Sequence, residues 1–167
     1  IRQLLHGKNF YRDQFGVEVS NVWLPDAFGY TASLPQIIRK SGCNYFLTNK
    51  LCVNQFNRFP RNAFEWRGID GSTVLAYCPP EENYNSELLP AQMIAAADRM
   101  AENDRMTDYL TLFGIGDGGG GPKEEYIARG RLLRDFDGTP RVKFGKAADF
   151  FALLQERYGD KRPEDEG

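Results

Sequence analysis

The chain has 167 residues, of which 41% are hydrophobic and 26% are charged, so it is long enough for one domain with a hydrophobic core. Its formal net charge of −2 excludes a basic surface that would attract nucleic acid, and no apolar stretch is long enough to cross a bilayer. Cys43, Cys52 and Cys78 form no Cys-x-x-Cys pair, so we expect free thiols that pack as small apolar groups in a reducing compartment, the cytoplasm.

Hydrophobic periodicity predicts helices and strands that alternate along the chain. Helices are predicted over residues 2–15, 33–42, 90–103, 122–136 and 147–158. Strands are predicted over residues 17–24, 44–48, 64–68, 72–78, 108–113 and 141–144, with a hairpin turn at residues 69–71. This alternation is typical of an α/β domain with a largely parallel sheet and flanking helices. Residues 159–167 are charged and predicted to be a disordered tail. Because the chain begins within a helical pattern and without methionine, we expect it to be a piece of a longer protein.

The loop after the first predicted strand surrounds one carboxylate with aromatic rings. In sheets of this class, chemistry gathers in loops at the carboxyl ends of strands. Asp26 occupies such a loop, with Trp23, Phe28 and Tyr30 close to it in sequence. Rings beside a carboxylate are typical of a sugar-binding site, because the apolar face of a pyranose packs on a ring while its hydroxyls reach acids. The alternative is an aspartate that caps a neighbouring amide in a turn.

A second carboxylate, Asp117, lies in the glycine-rich loop GIGDGGGG at residues 114–121. The loop matches the form G-x-G-x-x-G, so a nucleotide-binding module is an alternative. Against it, Asp117 would place negative charge where a pyrophosphate binds, and the following predicted strand does not end in an acidic residue. The run that includes Gly118 and Gly119 indicates backbone that comes close to a ligand. Two aspartates at one edge of a sheet suit glycoside hydrolysis, in which one carboxylate attacks and another donates a proton.

Three stretches occur in a fixed order: WLPDAFGYTASLPQIIRKSGCNYFLTNKL, FEWRGIDGSTVLAY and GIGDGGGGP. Their combination and spacing resemble the catalytic domain of α-mannosidases of glycoside hydrolase family 38, especially the cytosolic and bacterial branch. The resemblance covers residues 1–158 and implies a partial catalytic domain, part of a seven-stranded β/α barrel. It also implies a retaining, metal-dependent enzyme that hydrolyses terminal α-mannosyl residues from glycans or oligosaccharides.

The resemblance implies roles for individual residues. Asp26 matches the nucleophile, which in the family also ligates a zinc ion, and Asp117 matches the position of the general acid/base. Phe28 matches an aromatic residue that lines the sugar site. Lys50, which follows the second predicted strand, is a further candidate for contacts with substrate hydroxyls.

The chain departs from the family pattern in its histidines. The family uses a His-x-Asp motif and a second histidine as zinc ligands, whereas His6 is the one histidine here and does not match. We therefore expect the other ligands of zinc, or of another divalent cation, outside this chain, and we expect the isolated chain to bind no metal and to be inactive. The partner implied is a mannose-containing oligosaccharide, with neither nucleic acid nor membrane involved. A non-catalytic carbohydrate-binding remnant is the remaining alternative.

Overall fold

The computed structural model describes residues 1–100 and 105–159, together with the backbone of residues 164–166. The helices are α1 (Arg2–Phe15), α2 (Leu34–Lys40), α3 (Pro90–Arg99), α4 (Glu124–Leu132) and α5 (Ala147–Tyr158). The strands are β1 (Asn21–Trp23), β2 (Tyr45–Leu47), β3 (Ala63–Arg67), β4 (Thr73–Tyr77) and β5 (Glu164–Glu166). Each predicted helix is present, although residues 101–103 of the third lie outside the described residues.

The strands form one mixed sheet in the order β1-β2-β4-β3-β5. β1 pairs with β2, β2 with β4, and β3 with β5 in parallel, whereas β3 and β4 are antiparallel. The prediction of an α/β domain is confirmed, but the prediction of a largely parallel sheet is wrong. The reason is the hairpin at residues 69–71, because a tight turn can join only antiparallel neighbours. The seven-stranded barrel stays a prediction.

The apolar run at residues 108–113 was expected to be a strand but is not one here. Leu110 donates its backbone N–H to the hydroxyl of Tyr77 (2.9 Å), so it does not bond to a carbonyl of β4. In the described part of the chain, this run pairs through a single parallel bridge between Ser86 and Phe113. A strand needs a continuous ladder with a neighbour, and one bridge is not enough.

Two predictions near the carboxyl end also differ from the structure. Residues 141–144 form no strand, because Val142 donates its backbone N–H to the carbonyl of Leu133 beyond α4 (3.1 Å) rather than to a strand. Of the tail predicted to be disordered, residues 164–166 pair with β3. Residues 160–163 and 167 lie outside the described residues.

The sheet has a hydrophobic core on each face. Successive residues of a strand point to opposite faces, so Phe46 and its neighbour Leu47 in β2 enter different cores. Phe46 packs in a cluster with Ile38 of α2. Leu47 packs in a second cluster with Phe151 and Leu154 of α5. All five side chains are fully buried, which fixes the sheet between α2 and α5.

Cys52 and Cys78 form a disulfide, contrary to the expectation of free thiols. β2 and β4 are adjacent and parallel, so residues just beyond their carboxyl ends meet although they lie 26 positions apart. Cys43 is buried and free, as expected. The predicted cytoplasmic location therefore loses its support from the cysteines. Among the described helices, none has the length and apolarity that crossing a membrane requires.

Candidate functional site

The loops after β1 and β2 bring Asp26 and Lys50 side by side. The backbone N–H of Asn49 donates to the carbonyl of Pro25 (3.2 Å), which ties the two loops together beyond the ends of their strands. Lys50 Nζ then lies 2.9 Å from Asp26 Oδ1. The parallel pairing of β1 and β2 therefore converts two residues that are distant in sequence into an ion pair.

This ion pair determines the charge state of the site. A hydrogen bond from Lys50, followed by the Lys50 charge, holds the pKa of Asp26 below its usual value, although partial burial opposes this. The same hydrogen bond raises the pKa of Lys50. The ammonium group also lies 4.9 Å from the ring centre of Phe28 and 5.4 Å from that of Tyr84, which are cation–π distances. At neutral pH, Asp26 is therefore ionised and faces a fixed positive charge.

Tyr84 and Lys50 link Asp26 to Asp117. The Tyr84 hydroxyl donates to Asp117 Oδ1 at 3.4 Å, and its ring centre lies 5.4 Å from the Lys50 ammonium, which pairs with Asp26. Burial raises the pKa of the Tyr84 phenol, and the negative charges of Asp117 and Asp26 raise it further. The structure thus places the two aspartates on either side of Tyr84 and Lys50.

The side chains of Tyr84 and Asn85 lie so close to Gly116 that a Cβ atom there would force them to shift. A Cβ atom on Gly116 would lie 2.5 Å from Oδ1 of Asn85 and 2.8 Å from a ring carbon of Tyr84. Both distances are shorter than real Cβ contacts. The turn continues with a hydrogen bond from the N–H of Gly119 to the carbonyl of Gly116 (2.8 Å), and Gly119 is left-handed with φ of 66°. Gly118 and Gly119 are exposed at its tip.

A cleft of about 380 Å³ opens beside these side chains. Trp23, Tyr84 and Ile115 contribute to its walls, and the backbone of Gly116 and Gly120 contributes another part. The volume falls within the range of roughly 300–1,000 Å³ that is usual for small-ligand sites. The cleft therefore offers both ring surface and bare backbone. Asp26 and Asp117 do not line it themselves, but each directly follows a lining residue, Pro25 and Gly116.

The predicted aromatic residues have different surroundings. Phe28 is 86% exposed beside Lys50, and Trp23 lies on the cleft wall. The Tyr30 hydroxyl instead donates to the carbonyls of Leu24 (3.1 Å) and Ala27 (3.2 Å), so Tyr30 supports the loop from behind. Lys50 and the two aspartates meet, whereas Tyr30 does not face the cleft.

The sequence gives only a weak signal for Tyr84, as an aromatic residue in a polar segment that could reach a pocket. It lies 33 residues before Asp117 in an irregular polar segment, and its neighbours Asn83 and Asn85 suggest only a turn. Tyr84 can lie where it does because Gly116 has no Cβ atom, but only the folded structure shows that these two residues are in contact.

A metal ion is implied by the family resemblance, and the described residues test whether it fits. A catalytic zinc usually takes three protein ligands. Among the residues that the structure describes, no three His, Cys, Asp or Glu side chains lie close enough together to hold a metal. The carboxylate of Asp26 already pairs with the Lys50 ammonium, and His6 is exposed on α1. The residues that the structure describes therefore do not by themselves fit a zinc site.

Comparison with known proteins identifies relatives of the whole chain. Residues 1–165 match the model of the glycosyl hydrolases family 38 N-terminal domain. The chain is 42% identical over 155 residues to Alpha-mannosidase G of Dictyostelium discoideum, an alignment that covers 93% of the chain and 14% of that protein. It is 40% identical over 155 residues to Alpha-mannosidase 2C1 of Homo sapiens, covering 93% and 15%.

A solved structure shares the fold. The crystal structure of an alpha-mannosidase from Enterococcus faecalis V583 superposes with a TM-score of 0.69 at 17% identity. The superposition covers 99% of this chain and 19% of that chain. The present chain thus spans 14–15% of the length of the two curated relatives.

Proposed function

Since the chain belongs to glycosyl hydrolase family 38, we propose that it supplies the nucleophile and the general acid/base of an α-mannosidase. The enzyme would remove terminal α-mannosyl residues from glycans or oligosaccharides with retention of configuration. One observation carries the proposal: Lys50 Nζ lies 2.9 Å from Asp26 and 5.4 Å from the ring centre of Tyr84, whose hydroxyl donates to Asp117.

A retaining mechanism requires two carboxyl groups close together, and Tyr84 and Lys50 bring Asp26 and Asp117 to one site. Retaining glycosidases hold their two carboxyl groups roughly 5–5.5 Å apart, whereas inverting enzymes need roughly 6.5–9.5 Å to admit a water molecule. The proposed mechanism takes the shorter separation, in which one carboxylate attacks the sugar directly.

Asp26 suits the role of nucleophile because its pKa is lowered and it stays ionised. It would attack the anomeric carbon, and the bond to the leaving oxygen would break as the ester to Asp26 forms. Lys50 orients the carboxylate before the attack and can hydrogen-bond a substrate hydroxyl as the negative charge on Asp26 disappears. Asp117 would give its proton to the leaving oxygen and then accept one from the water that hydrolyses the ester.

The cleft supports binding of a sugar. Trp23 on its wall and the exposed ring of Phe28 provide apolar surface, and Gly118 and Gly119 leave backbone unshielded. The nucleotide-binding alternative gains no support from this loop, because Tyr84 and Asn85 occupy the space against Gly116. A phosphate would also meet carboxylates there. A requirement for zinc or another divalent cation, and a cytoplasmic location, stay predictions.

The proposal is tested with the protein expressed from the complete gene. We expect it to hydrolyse 4-nitrophenyl α-mannoside and to leave the β-mannoside intact, with the α anomer of mannose appearing first by NMR. If the β anomer appears first, the retaining mechanism is wrong. If no α-mannoside is hydrolysed, the assignment as a mannosidase is wrong. We expect the isolated 167-residue chain to be inactive and to bind zinc weakly.

Replacing Lys50 with methionine tests the ion pair. Lys50 lowers the pKa of Asp26, so its removal should raise that pKa and leave less ionised Asp26 at acid pH. The acidic limb of the kcat/KM profile should therefore move to higher pH. Lys40→Met is the matched control, since Lys40 pairs with Asp70 in the hairpin turn instead. An acidic limb that does not move would contradict the role given to Lys50.

Replacing Gly116 with alanine tests the close approach of Tyr84. The added Cβ atom would overlap with Tyr84 and Asn85 and push the hydroxyl away from Asp117. We expect kcat/KM to fall roughly 100-fold, as small displacements in an active site can cause. Gly121→Ala is the control, because a Cβ atom there has nothing within 4 Å. Equal kcat/KM values for the two variants would show that the approach is not required.

A further inference from the structure

The segment that carries Tyr84 is held in an unusual backbone conformation. Glu82 and Leu88 have φ values of 58° and 54°, which are left-handed and uncommon for residues other than glycine. Non-glycine residues in this region cost free energy and persist where surrounding contacts fix them. The contacts that hold residues 82–88 therefore determine where the Tyr84 hydroxyl lies.

A buried carboxyl group, that of Glu81, lies at the start of this segment. Glu81 is 5% exposed. Its Oε2 accepts a hydrogen bond from the hydroxyl of Thr111. Arg99 donates to the backbone carbonyls of Pro80 (3.1 Å) and Glu81 (3.2 Å). Burial raises the pKa of the Glu81 carboxyl.

These bonds join the two segments that carry the polar side chains of the site. Thr111 lies in the run that leads to Asp117, whereas Ser86 lies two residues after Tyr84. The backbone N–H of Ser86 donates to the carbonyl of Leu112 at 2.9 Å, beside the Glu81–Thr111 bond. Glu81 itself begins the segment that carries Tyr84, and it bonds to Thr111, which lies six positions before Asp117, so it joins the two segments.

A buried carboxyl group joins two segments at a cost in free energy. Among the described residues, Oε1 of Glu81 has no hydrogen-bond partner, and an unpaired buried polar atom costs free energy. Apolar side chains would hold the segments together without this cost. Glu81 is thus better explained by the specific geometry that it imposes than by stability.

We propose that Glu81 is a positioning residue that, through its bond to Thr111, holds the Tyr84 hydroxyl against Asp117 and beside Lys50. Glu81 does not line the cleft and acts through Tyr84. Its effect on catalysis rests on the proposed function, whereas its effect on the position of Tyr84 does not. The two parts can be tested separately.

The position of Tyr84 is tested by ¹⁹F NMR in the protein expressed from the complete gene, with 3-fluorotyrosine in place of Tyr84. We expect one ¹⁹F resonance whose chemical shift differs from that of the urea-unfolded protein. Glu81→Leu should move this resonance toward the unfolded position, whereas Glu81→Gln keeps an amide oxygen as acceptor and should preserve the shift.

Thr111→Val removes the hydrogen-bond donor with little change of shape and replaces Glu81→Leu if that variant does not fold. Glu124→Leu, at an exposed carboxylate in the first turn of α4, is the control and should leave the resonance in place. A resonance unchanged in both Glu81→Leu and Thr111→Val overturns the proposal.

The catalytic effect is tested by a double-mutant cycle in the enzyme expressed from the complete gene. Glu81→Leu should lower kcat/KM roughly 10–100-fold when Tyr84 is present. In a Tyr84→Phe background, it should lower kcat/KM less than about twofold, because the hydroxyl that Glu81 positions is already absent. The same loss in both backgrounds would show that Glu81 does not act through Tyr84. Absence of mannosidase activity in the parent enzyme would refute the proposed function, while the ¹⁹F result would still decide the position of Tyr84.

Discussion

Asp26→Asn is expected to lower kcat/KM for an aryl α-mannoside by roughly 10³-fold or more, the scale on which enzymes lose activity when a nucleophile is removed. The amide cannot form the ester that the proposed mechanism requires. The amide is also uncharged, so it cannot form the ion pair with Lys50, whose Nζ lies 2.9 Å from Asp26 Oδ1. The loss should therefore occur at every pH and with every leaving group.

The measurement compares Asp26→Asn with Asp13→Asn in the enzyme expressed from the complete gene. Asp13 is an exposed aspartate on α1 that pairs with Arg12, so its replacement controls for the loss of one carboxylate. Circular dichroism would check that both variants fold. If Asp26→Asn kept a tenth of the parent activity, another group would have to be the nucleophile.

The sequence predicts those parts of the site that neighbouring residues mark. The loop with Asp26 stands out because proline, glycine and aromatic residues flank the carboxylate within six positions, and Asp117 stands out because of its glycines. The contact between Asp26 and Lys50 depends on the parallel pairing of β1 with β2. Tyr84 depends on a close approach to Gly116 across 32 positions, which no local pattern encodes.

The fold, like the site, is predictable where the signal is local and not where it depends on pairing between distant segments. α1 ends at Gly16, a left-handed residue with φ of 65° that stops the helix as its sequence position predicts. α5 has the predicted bounds, Ala147–Tyr158, because its periodicity is continuous. The apolar runs at residues 108–113 and 141–144 have the composition of strands, yet a strand forms only where a neighbour offers a ladder. The Cys52–Cys78 bridge likewise follows from strand order rather than from cysteine spacing.

Asp117→Ala is expected to produce a loss of activity that depends on the leaving group. General acid catalysis contributes roughly 10²–10⁴-fold, and it matters most when the departing oxygen is a poor leaving group. The loss in kcat/KM should therefore be large for a mannobioside and small for 2,4-dinitrophenyl α-mannoside. Asp137→Ala, at an exposed turn after α4, should have no effect on either substrate.

Azide provides the second test of Asp117, because it attacks without needing a base. In the proposed mechanism, Asp26 displaces the leaving group with inversion and gives a β-linked ester, which then waits for water that Asp117 no longer activates. Azide ion would attack the anomeric carbon of this ester, release the Asp26 carboxylate and yield α-mannosyl azide. Turnover of the dinitrophenyl substrate by Asp117→Ala should thus rise with azide concentration, and the product can be identified by NMR. Equal losses for both leaving groups, together with no azide product, would assign the acid/base role to a residue other than Asp117.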